Sequence, residues 1–160
     1  MENNLYWNTV TPLLKSTLDQ LMGSEIFYPF RLVGGTSLSL QLGHRISVDI
    51  DLFTDREYGS VDFRAIEKYL RGIFTYVSSP ASDILGMGQS YLIGSDENNS
   101  VKLDLYYTDS FIQSELVIGS YRLATVEEII AMKVDVVQML VGKRIFGIFM
   151  RYWINIQLNK

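Results

Sequence analysis

Strict alternation of apolar and polar residues marks Ile46-Ser47-Val48-Asp49-Ile50-Asp51-Leu52 as a β-strand. Strand side chains change face at every residue, so Ser47, Asp49 and Asp51 share one side, while Ile46, Val48, Ile50 and Leu52 are expected to pack on the other. A second alternating stretch, Val101-Lys102-Leu103-Asp104-Leu105-Tyr106, puts Lys102, Asp104 and Tyr106 on one face. Its partner is the strand from Gln89 to Ile93, joined to it by the polar turn Asp96-Glu97-Asn98-Asn99-Ser100.

Helical spacing marks three further segments. Leu5 to Met22 carries apolar residues at Val10, Leu13, Leu14, Leu18, Leu21 and Met22 and is closed by Gly23. Asp62 to Phe74 places Phe63, Ile66, Leu70, Ile73 and Phe74 on one stripe. A last helix opens at Ala124-Thr125-Val126-Glu127-Glu128, with Thr125 as N-cap and Glu128 in the capping-box position, and runs through Met132, Lys133 and Val137. Between the first helix and the Asp-x-Asp strand, Tyr28 to Val33 reads as a strand stopped by Gly34-Gly35. Thr36 or Ser37 is then expected to cap a helix through Leu38, Leu40 and Leu42. The pattern predicts an α/β (α+β) fold, a small mixed sheet flanked by helices, with the Gly-Gly turn and the Asp-x-Asp strand at its edge.

Composition narrows the chemistry. A chain of 160 residues with 48% apolar and 20% charged residues can bury one sizeable core. With no Cys and a single His, thiolate and histidine-cluster metal sites are excluded, so any metal must be held by oxygens. No apolar run approaches the roughly 20 residues that span a bilayer, and Met1-Glu2-Asn3-Asn4 lacks the basic start of a signal peptide. A cytoplasmic location without a membrane partner is expected. The net charge of −4 and pI near 4.9 argue against non-specific nucleic-acid binding, though not against an RNA end held in a locally basic pocket.

Asp49 and Asp51 stand two residues apart on one strand face, about 6.5–7 Å between Cα atoms. Both carboxylates can therefore converge on one hard cation or on a pair of Mg²⁺ ions. A half-buried strand with its polar face in water is the plain alternative for an isolated Asp-x-Asp, but like charges side by side repel, and a cation relieves that repulsion. The glycines of Gly34-Gly35 let the backbone approach a phosphate, and the N–H groups at a helix start point towards an anion; the plain alternative is an ordinary turn. The two elements together supply what phosphoryl-group chemistry needs, positioning and charge neutralisation. Asp104 is a candidate third carboxylate, against the alternative of a Lys102–Asp104 surface pair.

Gly34-Gly35-Thr36-Ser37-Leu38, Leu42-Gly43-His44-Arg45, Ser47 and Asp49-Ile50-Asp51-Leu52-Phe53 resemble the signature of the AbiEii/AbiGii toxin family, within the DNA polymerase beta-like nucleotidyltransferase superfamily. The resemblance is dense over about 25 residues and extends more weakly from about Tyr28 to Lys143. It implies nucleotide transfer from an NTP to a hydroxyl acceptor, such as a tRNA 3′ end, with Mg²⁺ or Mn²⁺, by a toxin held in check by an antitoxin protein. It implies that Asp49 and Asp51 bind metal, that Asp104 assists the acceptor, and that Gly34, Gly35, Thr36 and Ser37 hold phosphates. It further implies that Lys133 contacts the triphosphate and that Arg45 adds positive charge at the phosphate end; it gives His44 no role. Two rival readings stand beside it. One is a small-molecule nucleotidyltransferase, such as one modifying an aminoglycoside, whose acidic acceptor pocket would suit the acidic pI. The other is a catalytically impaired remnant that still binds nucleotide or antitoxin.

The remnant reading has its source in the C-terminus. The resembling domain occupies residues 1–144, and residues 145–160 form an atypical apolar tail. The family continues its last helix into a basic loop and a Lys-Asp-x-x-Asp motif, whereas here no acidic residue follows Asp135. Back-translation from Gly142 with suitably chosen synonymous codons, and one A added to the adenine run, gives GKKDFWDIYEVLDKY, which restores that motif where the family has it; in each shifted codon after the run two bases are dictated by this protein and the first is a chosen wobble base. On this reading the chain is a one-base frameshift product of an ancestral or allelic sequence, and codons incompatible with that string would refute it.

Overall fold

A computed structural model describes residues 5–79 and 87–136. The chain divides into two compact units, Met1–Val126 and Glu127–Lys160. In the first unit, α1 spans Pro12–Met22. The Thr11 side chain accepts the Leu14 N–H at 3.1 Å, and Pro12, which has no N–H to leave unpaired, occupies the first helical position. The helix therefore starts later than the apolar spacing from Leu5 suggests, and Trp7–Thr9 form a separate 3₁₀ turn. Helix α2 spans Gly34–Leu42. Helix α3 spans Phe63–Ile73, with Asp62 as its cap through a 3.0 Å bond from the Ala65 N–H.

Seven strands among the described residues form one sheet: β1 Arg31–Leu32, β2 Asp49–Thr54, β3 Tyr76–Ser78, β4 Gly88–Gly94, β5 Ser100–Tyr107, β6 Leu116–Ile118 and β7 Tyr121–Leu123. Their order is β3-β4-β5-β2-β1-β7-β6. The β2–β5 and β1–β7 pairs are parallel and the others antiparallel, so the sheet is mixed as expected. The Asp-x-Asp strand, expected at an edge, is the fourth of the seven. Strand β1 is shorter than the expected Tyr28–Val33. Residues Glu25–Phe27 make a 3₁₀ turn ahead of it, and Pro29 cannot donate to a ladder.

Alternation decides which face of the sheet is core. Ile50 and Leu52 of β2 are fully buried with Leu103 and Leu105 of β5, in one cluster with Leu14, Leu18, Leu21 and Met22 of α1 and Ile66 and Leu70 of α3. Two expected core positions fall outside it, because Ile46 and Val48 are 61% and 60% exposed. The ladder begins only at Asp49, and ahead of it Ser47 makes a single bridge to Val10, so the alternation of 46–48 belongs to a connecting segment. The stripe of α3 likewise stops short of Ile73, which is exposed in the last turn.

Candidate active site

Register brings the acidic residues together. Strand β2 runs parallel to β5 with Asp49 beside Lys102, Asp51 beside Asp104 and Phe53 beside Tyr106. Strand β4 pairs antiparallel on the other side of β5, with Ser90 opposite Asp104. Since Ile50, Leu52, Leu103 and Leu105 fill the core, Asp49, Asp51, Lys102 and Asp104 share the opposite face. Both oxygens of Asp104 are engaged. Ser90 Oγ donates to Oδ1 at 2.7 Å, and Lys102 Nζ donates to Oδ2 at 2.6 Å. With its only proton committed to Asp104, Ser90 accepts the Tyr106 hydroxyl at 3.0 Å, so a short chain Tyr106–Ser90–Asp104 runs across the strands. The Lys102–Asp104 pair of the plain reading is thus present, and in the same arrangement Asp104 stands next to Asp51. Hydrogen bonding to Asp104, reinforced by the charges of Asp104, Asp49 and Asp51, holds the Lys102 ammonium above its ordinary pKa.

The Gly-Gly turn meets this face at Asp51. Val33 is the N-cap residue of α2, with no side-chain cap, and its own N–H donates to the Asp51 carbonyl at 2.9 Å. Thr36 and Ser37, expected as caps, lie instead inside the first turn and are buried. Their hydroxyls tie the turn to its surroundings. Thr36 donates to the Asp49 carbonyl and accepts from Ser47 at 2.7 Å, and Ser37 accepts from Gln41 at 2.9 Å. What the turn can offer an anion is backbone: the first N–H groups of an α-helix have no intrahelical carbonyl to receive them.

Gly34 is held at φ +66, and a Cβ there would collide with the Asp51 carboxylate; a Cβ on Gly35 would collide with the Arg45 guanidinium. Gly34 is therefore required by both backbone and close approach, whereas at Gly35 the exposed Arg45 side chain can swing aside. Gly34→Ala should cost about 1–2 kcal/mol for the left-handed backbone alone. It should also displace Asp51 and weaken any cation or nucleotide held there at least tenfold. Thermal melting and calorimetry measure the two effects, and wild-type affinity in a folded Gly34→Ala variant would count against the turn.

The donor set fits a hard divalent cation. Asp49 and Asp51 offer oxygen only, from one face of a central strand, and the Lys102 ammonium already stands in as a positive charge beside them. Among the described residues no three acidic or histidine side chains form a ready-made cage. Mg²⁺ commonly takes one or two carboxylates and completes its shell with water and phosphate oxygens.

With this geometry in view, comparison with known proteins is decisive for the family. Residues 16–145 match the family model described as "Nucleotidyl transferase AbiEii toxin, Type IV TA system". The chain belongs to the AbiEii family. Its match covers the Gly-Gly turn, the Asp-x-Asp strand, Asp104 and Lys133, and ends at residue 145. Two Helicobacter pylori structures share the fold. JHP933 is 21% identical with a TM-score of 0.53, covering 76% of this chain and 53% of its own. A candidate nucleotidyltransferase is 21% identical with a TM-score of 0.54, covering 76% and 55%. The chain thus spans about half the length of these relatives. No curated protein matches it.

The remaining residues singled out in this AbiEii-family chain are placed unevenly. Arg45 reaches Gly35 from the segment ahead of β2, and the nearby His44 is exposed. Lys133 is exposed on the helix of residues 126–136, in the second unit. Val137, the tail 145–160 and the frameshift reading lie outside the described residues. Sequence reasoning missed Ser90 as a partner of Asp104, although a signal existed. Closing the hairpin at Asp96–Ser100 sets Ser90 directly opposite Asp104, which counting back from the turn would have shown.

Proposed function

We propose that this chain is built to transfer a nucleotide from an NTP to a hydroxyl acceptor. The observation that carries the reading is the Asp51–Asp104 register beside a helix start whose glycine lies against the Asp51 carboxylate. Asp49 and Asp51 hold Mg²⁺ or Mn²⁺, which when bound neutralises phosphate charge and orients the triphosphate. The first N–H groups of α2, from Gly34 to Thr36, receive phosphate oxygens along the helix dipole, whereas the Ser37 N–H is already taken by the Val33 carbonyl. The Arg45 guanidinium adds positive charge there. Asp104, fixed by Ser90, takes the proton of the acceptor hydroxyl as its oxygen attacks the α-phosphorus and pyrophosphate leaves.

We assign the acceptor side to the same sheet. Arg31 pairs with Phe53, so it continues the face that carries Asp49 and Asp51, and it borders a cleft of about 580 Å³ together with Tyr28, Asp55, Arg56 and Glu115. That volume suits a nucleotide-sized group. The proposed acceptor is a tRNA 3′ end and the proposed partner an antitoxin protein, in keeping with the type IV toxin–antitoxin family. The absent Lys-Asp-x-x-Asp motif supports a second reading, a chain that binds nucleotide or antitoxin with catalysis impaired. Calorimetry with NTP and Mn²⁺ tests what both readings share. Binding should need the metal and weaken as salt rises, since the contacts are largely ionic. Binding indifferent to metal would reject the site.

A further inference from the structure

Asp104 is held by two partners of different kinds. Ser90 belongs to the neighbouring strand, is half-buried, and is backed by Tyr106. Lys102 lies two residues away on β5 itself, and its side chain keeps 48% of its exposure while that of Asp104 keeps 16%. A hydroxyl wedged between strands stays where it is. An ammonium on a flexible four-carbon stem with water on one side can leave and be resolvated. The register puts this mobile cation beside Asp49, with Asp51 next to Asp104, so its charge faces three carboxylates.

We propose that Lys102 is the resident counter-cation of the acidic face and gives way when a divalent metal enters. The inference builds on the metal site proposed above and adds a residue to it. Without metal, Lys102 offsets the repulsion between the carboxylates of β2 and β5. When a divalent cation arrives on Asp49 and Asp51, the ammonium becomes a like charge in the same place. The side chain swings into solvent, leaving one oxygen of Asp104 open for the acceptor while Ser90 keeps the other fixed. Lys102 is thus a positioning residue whose charge competes with the metal.

The test uses the full chain and Mn²⁺ alone, so it does not depend on catalysis. Lys102→Met keeps much of the apolar stem and removes the charge, and Lys102→Arg keeps a charge. Lys15→Met is the control, because it breaks an ion pair of similar length, to Asp19 on α1, and changes the net charge equally. By calorimetry, Lys102→Met should bind Mn²⁺ on the order of tenfold more tightly than the parent, with Lys102→Arg and Lys15→Met close to the parent. Its melting temperature should fall without metal and rise further than the parent's when Mn²⁺ is added. Unchanged or weaker Mn²⁺ binding by Lys102→Met would overturn the proposal, as would an equal gain in Lys15→Met. Asp49→Asn in the parent separates the two levels. If it leaves Mn²⁺ affinity intact, the metal site itself is misplaced; if it abolishes binding while Lys102→Met gains nothing, only the role of Lys102 is wrong.

Discussion

Asp49→Asn is expected to weaken Mn²⁺-dependent nucleotide binding at least a hundredfold while leaving the fold intact. The two effects separate because Asp49 is exposed at the start of β2, where its side chain contributes no core packing. Exposed substitutions of this kind stay within about 0.5 kcal/mol of the parent, and removing one of several like charges relieves repulsion. Binding is different: a divalent ion sharing two carboxylates loses half of its charged protein ligands, and with it the bridge to the triphosphate. A hundredfold loss corresponds to about 2.7 kcal/mol. Calorimetry with NTP and Mn²⁺ beside a thermal melt measures both quantities. Equal affinity in the variant would place the nucleotide elsewhere, and collapse of the fold would make Asp49 a structural residue.

Much of this site was legible in the sequence because strands report their faces directly. Alternation in 49–52 and 101–106 separated core from acidic face, and the structure keeps that separation, with Ile50, Leu52, Leu103 and Leu105 buried. Where alternation misled, at Ile46 and Val48, the residues lie in a connecting segment whose ladder has not begun. The helix at the Gly-Gly turn was harder to read for another reason. Its buried positions include Thr36, Ser37 and Ser39 beside Leu40, so the packed side is largely polar and carries little hydrophobic period. A side-chain cap was the natural expectation for Thr or Ser there, yet the Thr36 hydroxyl is taken by Ser47 and Asp49, and that of Ser37 by Gln41 and the distant Ala124 carbonyl. No local rule foresees such partners. The central position of β2 was also hidden, because strand order depends on long-range pairing that a single sequence does not encode in any short window.

The second large effect concerns the tail. The present chain is expected to transfer nucleotides poorly or not at all, and a frame-restored version carrying GKKDFWDIYEVLDKY to transfer them orders of magnitude faster. Positioning and electrostatic stabilisation carry this chemistry, and the loss of one anchoring element can cost a factor of a hundred or more. From Arg144 onward the present sequence supplies Arg144, Arg151 and Lys160 as its only charged side chains, without a carboxylate to replace Lys-Asp-x-x-Asp. Radiolabelled NTP transfer to total tRNA, and growth arrest on expression, compare the two versions. Vigorous transfer by the present chain would show the motif to be dispensable and favour an active toxin over an impaired remnant.

The central claim is that the face shared by Asp49, Asp51 and Asp104 receives a divalent cation and the phosphates of a nucleotide. Anomalous scattering from crystals grown with Mn²⁺ and a non-hydrolysable NTP tests it most directly. The account predicts a manganese peak within about 2–2.6 Å of oxygens from both Asp49 and Asp51, with phosphate density against the backbone of Gly34 and Gly35. A metal and nucleotide bound elsewhere, with the Lys102–Asp104 pair undisturbed on an empty face, would contradict it.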